Sequence, residues 1–252
     1  MKVFSVFGPT RSGKTATIEK IIGELKRRGK RVGSVKNIHF EKFCLDDEGT
    51  NTWRHKAAGS EMVVARGLAE TDVLVPRQLG IDRILGFFNH EYDYVIVEGV
   101  ADTILPKVLC AGNLEDLESR LNDLVFMISG CISNQLTEYK GIPVLNGVTA
   151  VEKLVDLIED QVSEVMPFVY GLEQCRGCGS DCRGFVVRTL KKERVREDCV
   201  YVKNIVSVMI GQRELKIDSL FERKLKSIIE DFVFRLDSYN PNDEIQITIR
   251  KQ

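Results

Sequence analysis

Apolar and polar residues follow two different rhythms along this chain, and the rhythm changes near residue 166. Before that point, short apolar runs alternate with helix-spaced segments. Lys2–Phe7 reads as a strand and residues 15–28 as a helix. Strands follow over 31–36, 61–65 and 72–75, with helices over 52–58 and 82–88; Ile81, Ile84, Leu85 and Phe88 share one helical face. The run Tyr92-Asp93-Tyr94-Val95-Ile96-Val97 is almost continuously apolar, as in a central parallel strand covered on both sides. Further strands are predicted over 125–128 and 142–145. Leu154, Val155, Ile158 and Val162 then recur at helical spacing within 151–165. This alternation predicts an α/β fold, with a mostly parallel sheet, helices on both faces, and a ligand at the C-terminal ends of the strands.

Met166-Pro167 interrupts the pattern and divides the chain into residues 1–166, a cysteine-rich segment over 167–200, and a small α+β unit over 201–252. The middle segment contains one predicted helix, over 185–193. In the last unit, strands are expected over 201–210, 213–217 and 245–249, with a helix over 220–236. The 252 residues are 43% hydrophobic and 29% charged, with net charge −1. That balance suits a globular protein and excludes a general nucleic-acid binder, which needs a positive field. No apolar run is long enough to span a bilayer. Lys14 and Glu19 interrupt any signal-peptide core, so a cytoplasmic protein without membrane attachment is expected.

Chemistry enters with the octet Gly8-Pro9-Thr10-Arg11-Ser12-Gly13-Lys14-Thr15. It fits G-x-x-x-x-G-K-[ST] and lies between a predicted strand and a predicted helix, the setting of a phosphate-binding P-loop. The backbone amides around Arg11, Ser12 and Gly13 would wrap the phosphates. Lys14 would neutralise them, the Thr15 hydroxyl would take one Mg²⁺ position, and the helix N-terminus would add its dipole. Glu98 ends the buried strand, where an acidic group would face the phosphates and order Mg²⁺ or water. Asp46 and Asp47, after the second strand, are weaker acidic candidates. The N-K-x-D base-reading motif is missing, so base preference is not legible in the chain itself.

The stretch Val35-Lys36-Asn37-Ile38-His39, then Asp46-Asp47-Glu48-Gly49, Thr52-Trp53-Arg54 and Ala58-Gly59, resembles the molybdopterin-guanine dinucleotide biosynthesis protein B (MobB) family over about residues 1–165. Lys36, His39, Asp46, Gly49, Thr52, Arg54, Ala58 and Gly59 match its pattern, and Val97-Glu98-Gly99 matches its V-E-G. Asn37, Thr50-Asn51 and Val100-Ala101 depart from it. The resemblance implies a weakly hydrolysing GTP-binding adaptor that acts with Mg²⁺ in assembly of a molybdenum or tungsten pterin cofactor. It implies as partners molybdopterin, a molybdenum cofactor guanylyltransferase or a client molybdo- or tungsto-enzyme, and a second copy of the chain as a homodimer. Lys36, His39, Asp46 and Arg54 would join Gly8, Arg11, Ser12, Gly13, Lys14 and Thr15 in binding the nucleotide or pterin, with Lys14 and Glu98 acting catalytically.

Four of the seven cysteines are clustered: Cys175-x₂-Cys178-x₃-Cys182-x₁₆-Cys199. Clustered thiols in a reducing compartment point to metal before disulfide. Structural zinc usually takes two C-x₂-C pairs, whereas three close cysteines and a distant fourth suit a [4Fe–4S] cluster; zinc stays as the alternative. The segment also resembles the small four-iron domain of anaerobic carbon-monoxide and corrinoid enzymes, with one residue fewer between the second and third cysteines. A second functional reading follows, an ATP-dependent redox activator or metal-centre maturation protein that couples hydrolysis to the cluster.

Overall fold

The computed structural model describes residues 1–40, 43–88, 91–165, 178–199, 208–211, 213–215, 225, 228 and 229. In chain order the strands and helices are β1 (Lys2–Phe7), α1 (Lys14–Arg27), β2 (Val32–Lys36), α2 (Asn51–Ala57), β3 (Val63–Arg66), β4 (Thr71–Leu74) and α3 (Ile81–Gly86). There follow β5 (Tyr94–Glu98), β6 (Lys107–Cys110), α4 (Leu114–Arg120), β7 (Val125–Ser129), β8 (Glu138–Tyr139), β9 (Ile142–Pro143) and α5 (Val151–Gln161). The cysteine-rich segment contributes α6 (Cys182–Leu190), and a short hairpin is formed by β10 (Val208–Ile210) and β11 (Arg213–Leu215).

Five strands form one parallel sheet in the order β2-β5-β1-β6-β7. The apolar run over 92–97 yields β5, flanked by β1 and β2 and buried from Tyr94 to Val97. Alternation along each strand divides the core between two faces. Phe4, Val6, Tyr94 and Ile96 pack with Ile18, Ile21 and Leu25 of α1 and with Leu154, Val155 and Ile158 of α5. On the opposite face, Val3, Val95 and Val97 pack with Leu85 and Leu105, and Phe7, Leu109 and Ile128 pack with Leu117 of α4. α1 and α5 are also tied together by Arg28, which reaches Glu24, Asp156 and Glu159 at 2.7 Å each. Its two arginine partners hold the Glu24 carboxyl down at about 2. Among the described residues, no helix is long and apolar enough to cross a membrane.

Two elements of this layer are missing from the sequence prediction, β6 and α4. β6 starts with Lys107, whose side chain is fully buried although it is charged; its amine donates to Thr103 Oγ1 at 3.2 Å and lies 5.8 Å above the Phe7 ring. Burial lowers its pKa to about 8, and the nearby Arg183 adds to the effect. α4 buries only Leu117. The strand expected over 142–145 is shorter: Ile142–Pro143 turns back in a hairpin with β8, and Val144 then makes one parallel bridge to Ile128. α5 ends at Gln161, four residues earlier than predicted.

Residues 178–199 of the cysteine-rich segment lie against the N-terminal edge of the sheet. Phe185, Val186 and Cys199 bury themselves around Leu124, the residue before β7, with Cys178 packed alongside. The Arg196 guanidinium donates to Val165 O at 3.1 and 3.3 Å, Lys192 pairs with Asp160 at 2.8 Å, and Arg183 pairs with Asp123. α6 begins at Cys182, three residues before the predicted helix start, because Asp181 caps it by accepting the Gly184 N–H at 2.7 Å. Of the last unit, only β10, β11 and isolated positions fall within the described residues; the predicted strand over 245–249, most of the helix over 220–236, and Cys175 lie outside them.

Candidate nucleotide site

The octet forms a loop at the C-terminal end of β1 that runs directly into α1. Its curvature depends on backbone in the left-handed half of conformational space, at Gly8 (φ 145°), Arg11 (63°) and Gly13 (93°). At Gly8 a side chain is excluded outright, since a Cβ would collide with the Cys110 carbonyl at the end of β6. The first helical hydrogen bond of α1 runs from Thr17 N to Gly13 O at 3.0 Å, so the amides of Lys14, Thr15 and Ala16 precede it. No acidic residue sits in that first turn to neutralise the dipole. The Ser12 hydroxyl is buried without a hydrogen-bond partner among the described residues, and so is the Ser129 hydroxyl at the end of β7. Orphaned polar groups around an amide-lined loop fit an anionic ligand that would satisfy them.

The predicted charged residues converge on this loop. The Lys14 amine folds back on the loop, donating to Gly8 O at 2.9 Å and to Pro9 O. Burial lowers its pKa, which the Glu98 carboxylate partly offsets. Thr15 Oγ1 donates to Glu98 Oε1 at 3.4 Å, and the same carboxylate oxygen receives Lys36 Nζ. This pairing follows from register, because Lys36 and Glu98 are Cα partners at the ends of β2 and β5. Glu98 is only 12% exposed, whereas Lys36 is 54% exposed. Beneath the loop lies the Cys110 thiol, whose burial pushes it up to about 12, so it stays protonated.

The other predicted residues are placed differently. His39 is exposed just beyond β2, with Nε2 at 3.5 Å from the Asn37 amide, which also donates to Gly99 O at 3.4 Å. Asp46 is engaged inside its own turn: Lys56 Nζ lies 2.7 Å from Oδ2, and the Thr50 and Thr52 hydroxyls donate to Oδ1 at 2.7 and 2.9 Å. Lys56 is the main reason that its carboxyl is held below the usual carboxylate range. Thr50 in turn caps α2 by accepting the Trp53 N–H at 3.2 Å. Asp46 thus braces the start of α2, and the side chain of Arg54, exposed on that helix, makes no hydrogen bond or ion pair among the described residues. Among the described residues, no group of three or more His, Cys, Asp or Glu side chains is arranged to hold a metal ion.

Sequence reasoning missed the residues on the other flank of the loop. Cys131 N donates to Ser12 O at 3.2 Å, and its exposed thiol lies 3.8 Å from Arg11 O. A second loop, after β9, brings Gly147 so close to α1 that a Cβ there would lie 2.8 Å from Thr17 Oγ1. No short motif marks either segment; only the fold puts them beside the octet.

Comparison with known proteins agrees with this architecture. The family model described as Molybdopterin guanine dinucleotide synthesis protein B matches residues 3–126. A putative molybdopterin-guanine dinucleotide biosynthesis adapter protein of Methanocaldococcus jannaschii is 26% identical over 227 residues, covering 84% of this chain and 82% of its own. That match is too long to end with the parallel sheet. A probable adapter protein of the same description from Bacillus subtilis is 28% identical over 162 residues, 64% of this chain and 92% of its own. The crystal structure of Bacillus subtilis MobB superposes with a TM-score of 0.55 at 26% identity, covering 65% of this chain and 99% of that one. A five-stranded parallel sheet in the order β2-β5-β1-β6-β7, a P-loop after β1 and these matches together make residues 3–126 of this chain a MobB family domain.

Proposed function

We propose that the chain binds GTP with Mg²⁺ at the octet and acts as an adapter in assembly of the guanine dinucleotide form of molybdopterin. The observation that carries this reading is the convergence of Thr15, Glu98 and Lys36 beside a loop whose Ser12 hydroxyl is buried and, among the described residues, unpaired. Lys14, Lys36 and Arg11 outnumber Glu98, leaving the site electropositive toward phosphates. Mg²⁺ would be held by the Thr15 hydroxyl with Glu98 nearby, and when bound it offsets charge on the β- and γ-phosphates. Lys14 exchanges the Gly8 and Pro9 carbonyls for phosphate oxygens. Glu98 leaves Lys36 and orients water for slow hydrolysis, and Lys36 then faces the terminal phosphate. His39 and Arg54 supply further donors for anionic groups of the nucleotide or pterin. The names of the relatives support the pathway, and the partners implied are molybdopterin and a guanylyltransferase or client enzyme.

A homodimer belongs to the same reading. Val64 and Val73 are cross-strand partners on the β3–β4 hairpin, and each is about half exposed.

For the cysteines the proposal is a [4Fe–4S] cluster on Cys175, Cys178, Cys182 and Cys199, with zinc as the alternative. Support comes from the spacing, from Cys178 and Cys199 packing in one cluster, and from Cys182 at the first turn of α6. The described residues do not assemble three ligands, so no step of the reading passes through a cluster. Among the described residues, those of the cysteine segment (178–199) lie at the other end of the sheet from the octet, with the six-residue strand β1, about 20 Å long, between them. That separation favours the adapter over direct coupling of hydrolysis to electron transfer.

Calorimetric titration with GTP and ATP, with and without Mg²⁺, tests the reading. Mg²⁺-dependent GTP binding that is lost in Lys14→Ala is expected; an ATP preference, or no binding, contradicts it. An anaerobic visible spectrum with metal analysis tests the cluster: iron and sulfide are expected, and a colourless protein with zinc contradicts it.

A further inference from the structure

We propose that Asn134, oriented by Asn146, reads the O6/N7 edge of the guanine base and sets GTP above ATP; the inference rests on the nucleotide occupying the octet. The direction of the ligand follows from the sheet order. Thr15, Glu98 and Lys36 collect on the β5/β2 side of β1 and define the terminal-phosphate end. The nucleoside therefore leaves the loop on the β6/β7 side. There the chain after β7 turns through a 3₁₀ element, Cys131–Asn134, tied to the loop by the Cys131 N–H to Ser12 O bond. Facing it is the Asn146–Thr149 loop, which abuts Thr17 of α1 through Gly147.

Two asparagine side chains join these segments, and their orientations are fixed by what they bond. Asn146 Oδ1 accepts two backbone N–H groups, from Val148 at 2.9 Å and Thr149 at 3.0 Å, so its Nδ2 must point away. That Nδ2 donates to Asn134 Oδ1 at 3.0 Å. Asn134 is thereby turned with its NH₂ group outward, exposed and without a partner among the described residues. The outward group of the pair is thus a donor, the Asn134 NH₂. Guanine offers two acceptors, O6 and N7, along one edge, whereas adenine replaces O6 with a donor amino group. An outward amide N–H therefore matches both acceptors of guanine, whereas on adenine it keeps N7 and meets a donor at the 6-position. Exposed Val148, 51% accessible, and the Cys131 thiol border the same space and offer apolar contact to a base face.

The test measures affinities of the full-length protein for GTP, ITP and ATP by calorimetry. Inosine keeps O6 and N7 but lacks the 2-amino group, so ITP is expected to bind within about threefold of GTP, and ATP more weakly, by about tenfold or more, as for a single well-placed base contact. Asn134→Asp, which replaces the outward donor with an acceptor, and Asn134→Ala are each expected to reduce the GTP/ATP ratio by about tenfold with an unchanged thermal midpoint. Bound GTP is also expected to slow alkylation of Cys131 but not of Cys44. If wild-type protein binds GTP and both variants keep its GTP/ATP ratio, the inference is overturned while the proposed function stands. An equal loss for both nucleotides marks a structural role and overturns it as well. Failure of the wild-type protein to bind any nucleotide overturns the proposed function, and this inference with it.

Discussion

The two ends of the parallel sheet are built on opposite terms. At the C-terminal ends of its strands, polar groups are left over: two buried serine hydroxyls without partners among the described residues, a lysine resting on loop carbonyls, and a carboxylate shared by Thr15 and Lys36. At the N-terminal ends most groups are matched, the buried Ser180 hydroxyl being an exception among the described residues. Phe185 and Val186 fill the space around Leu124, Arg196 satisfies Val165 O, and Asp123 and Asp160 each have a cation. An end with unspent donors and curved backbone is prepared for a ligand, whereas a packed and paired end is prepared to hold a neighbour. The described part of the cysteine-rich segment, residues 178–199, is thus a structural neighbour of the sheet's base.

The largest expected effect lies at the packed end. Phe185→Ala empties a fully buried site and is expected to cost about 3–5 kcal/mol, read by thermal unfolding. GTP affinity measured below the transition should stay within about twofold; a large loss there would show that the ends are coupled. At the ligand end the reverse is expected. Lys14→Ala removes a charged phosphate contact of about 2–3 kcal/mol, roughly a hundredfold in affinity, with little change in thermal midpoint.

Lys107 lies between the two ends, and its effect depends on pH. Its pKa is lowered to about 8 from 10.5 by burial, so between those values the unfolded chain binds more protons than the folded one. Wild-type stability should therefore rise with pH across about 8 to 10.5. Lys107→Met is expected to be more stable by about 1–3 kcal/mol at pH 7, with the advantage shrinking toward pH 10, in urea denaturation at both values. A constant difference would argue against a buried charge. The smallest effect is expected from Thr50→Ala, which removes the α2 cap and one bond to Asp46: about 1 kcal/mol, seen as faster amide exchange over residues 51–57.

Much of the ligand end is legible in the sequence, because its information is local. The octet, the apolar run ending in Glu98, and Lys36 at the end of a strand are each marked by their neighbours, and strand register then brings Lys36 and Glu98 together. What the sequence hides is non-local or breaks the pattern. β6 has four residues and begins with a buried lysine, so its apolar rhythm is too short to register. α4 reads as a charged loop because only Leu117 turns inward. Asp46 sits in a family pattern that suggests a ligand contact, yet its oxygens are engaged by Lys56, Thr50 and Thr52 within ten residues. Asn134 and Asn146 belong to no motif, and their meeting depends on the turn after β7 and the loop before α5.

Amide hydrogen exchange with and without GTP and Mg²⁺ compares the two ends in one experiment. The account predicts slower exchange over residues 8–17, around Glu98 and across 130–150, with residues 182–199 unchanged. Protection over 182–199, or none over 8–17, would contradict it.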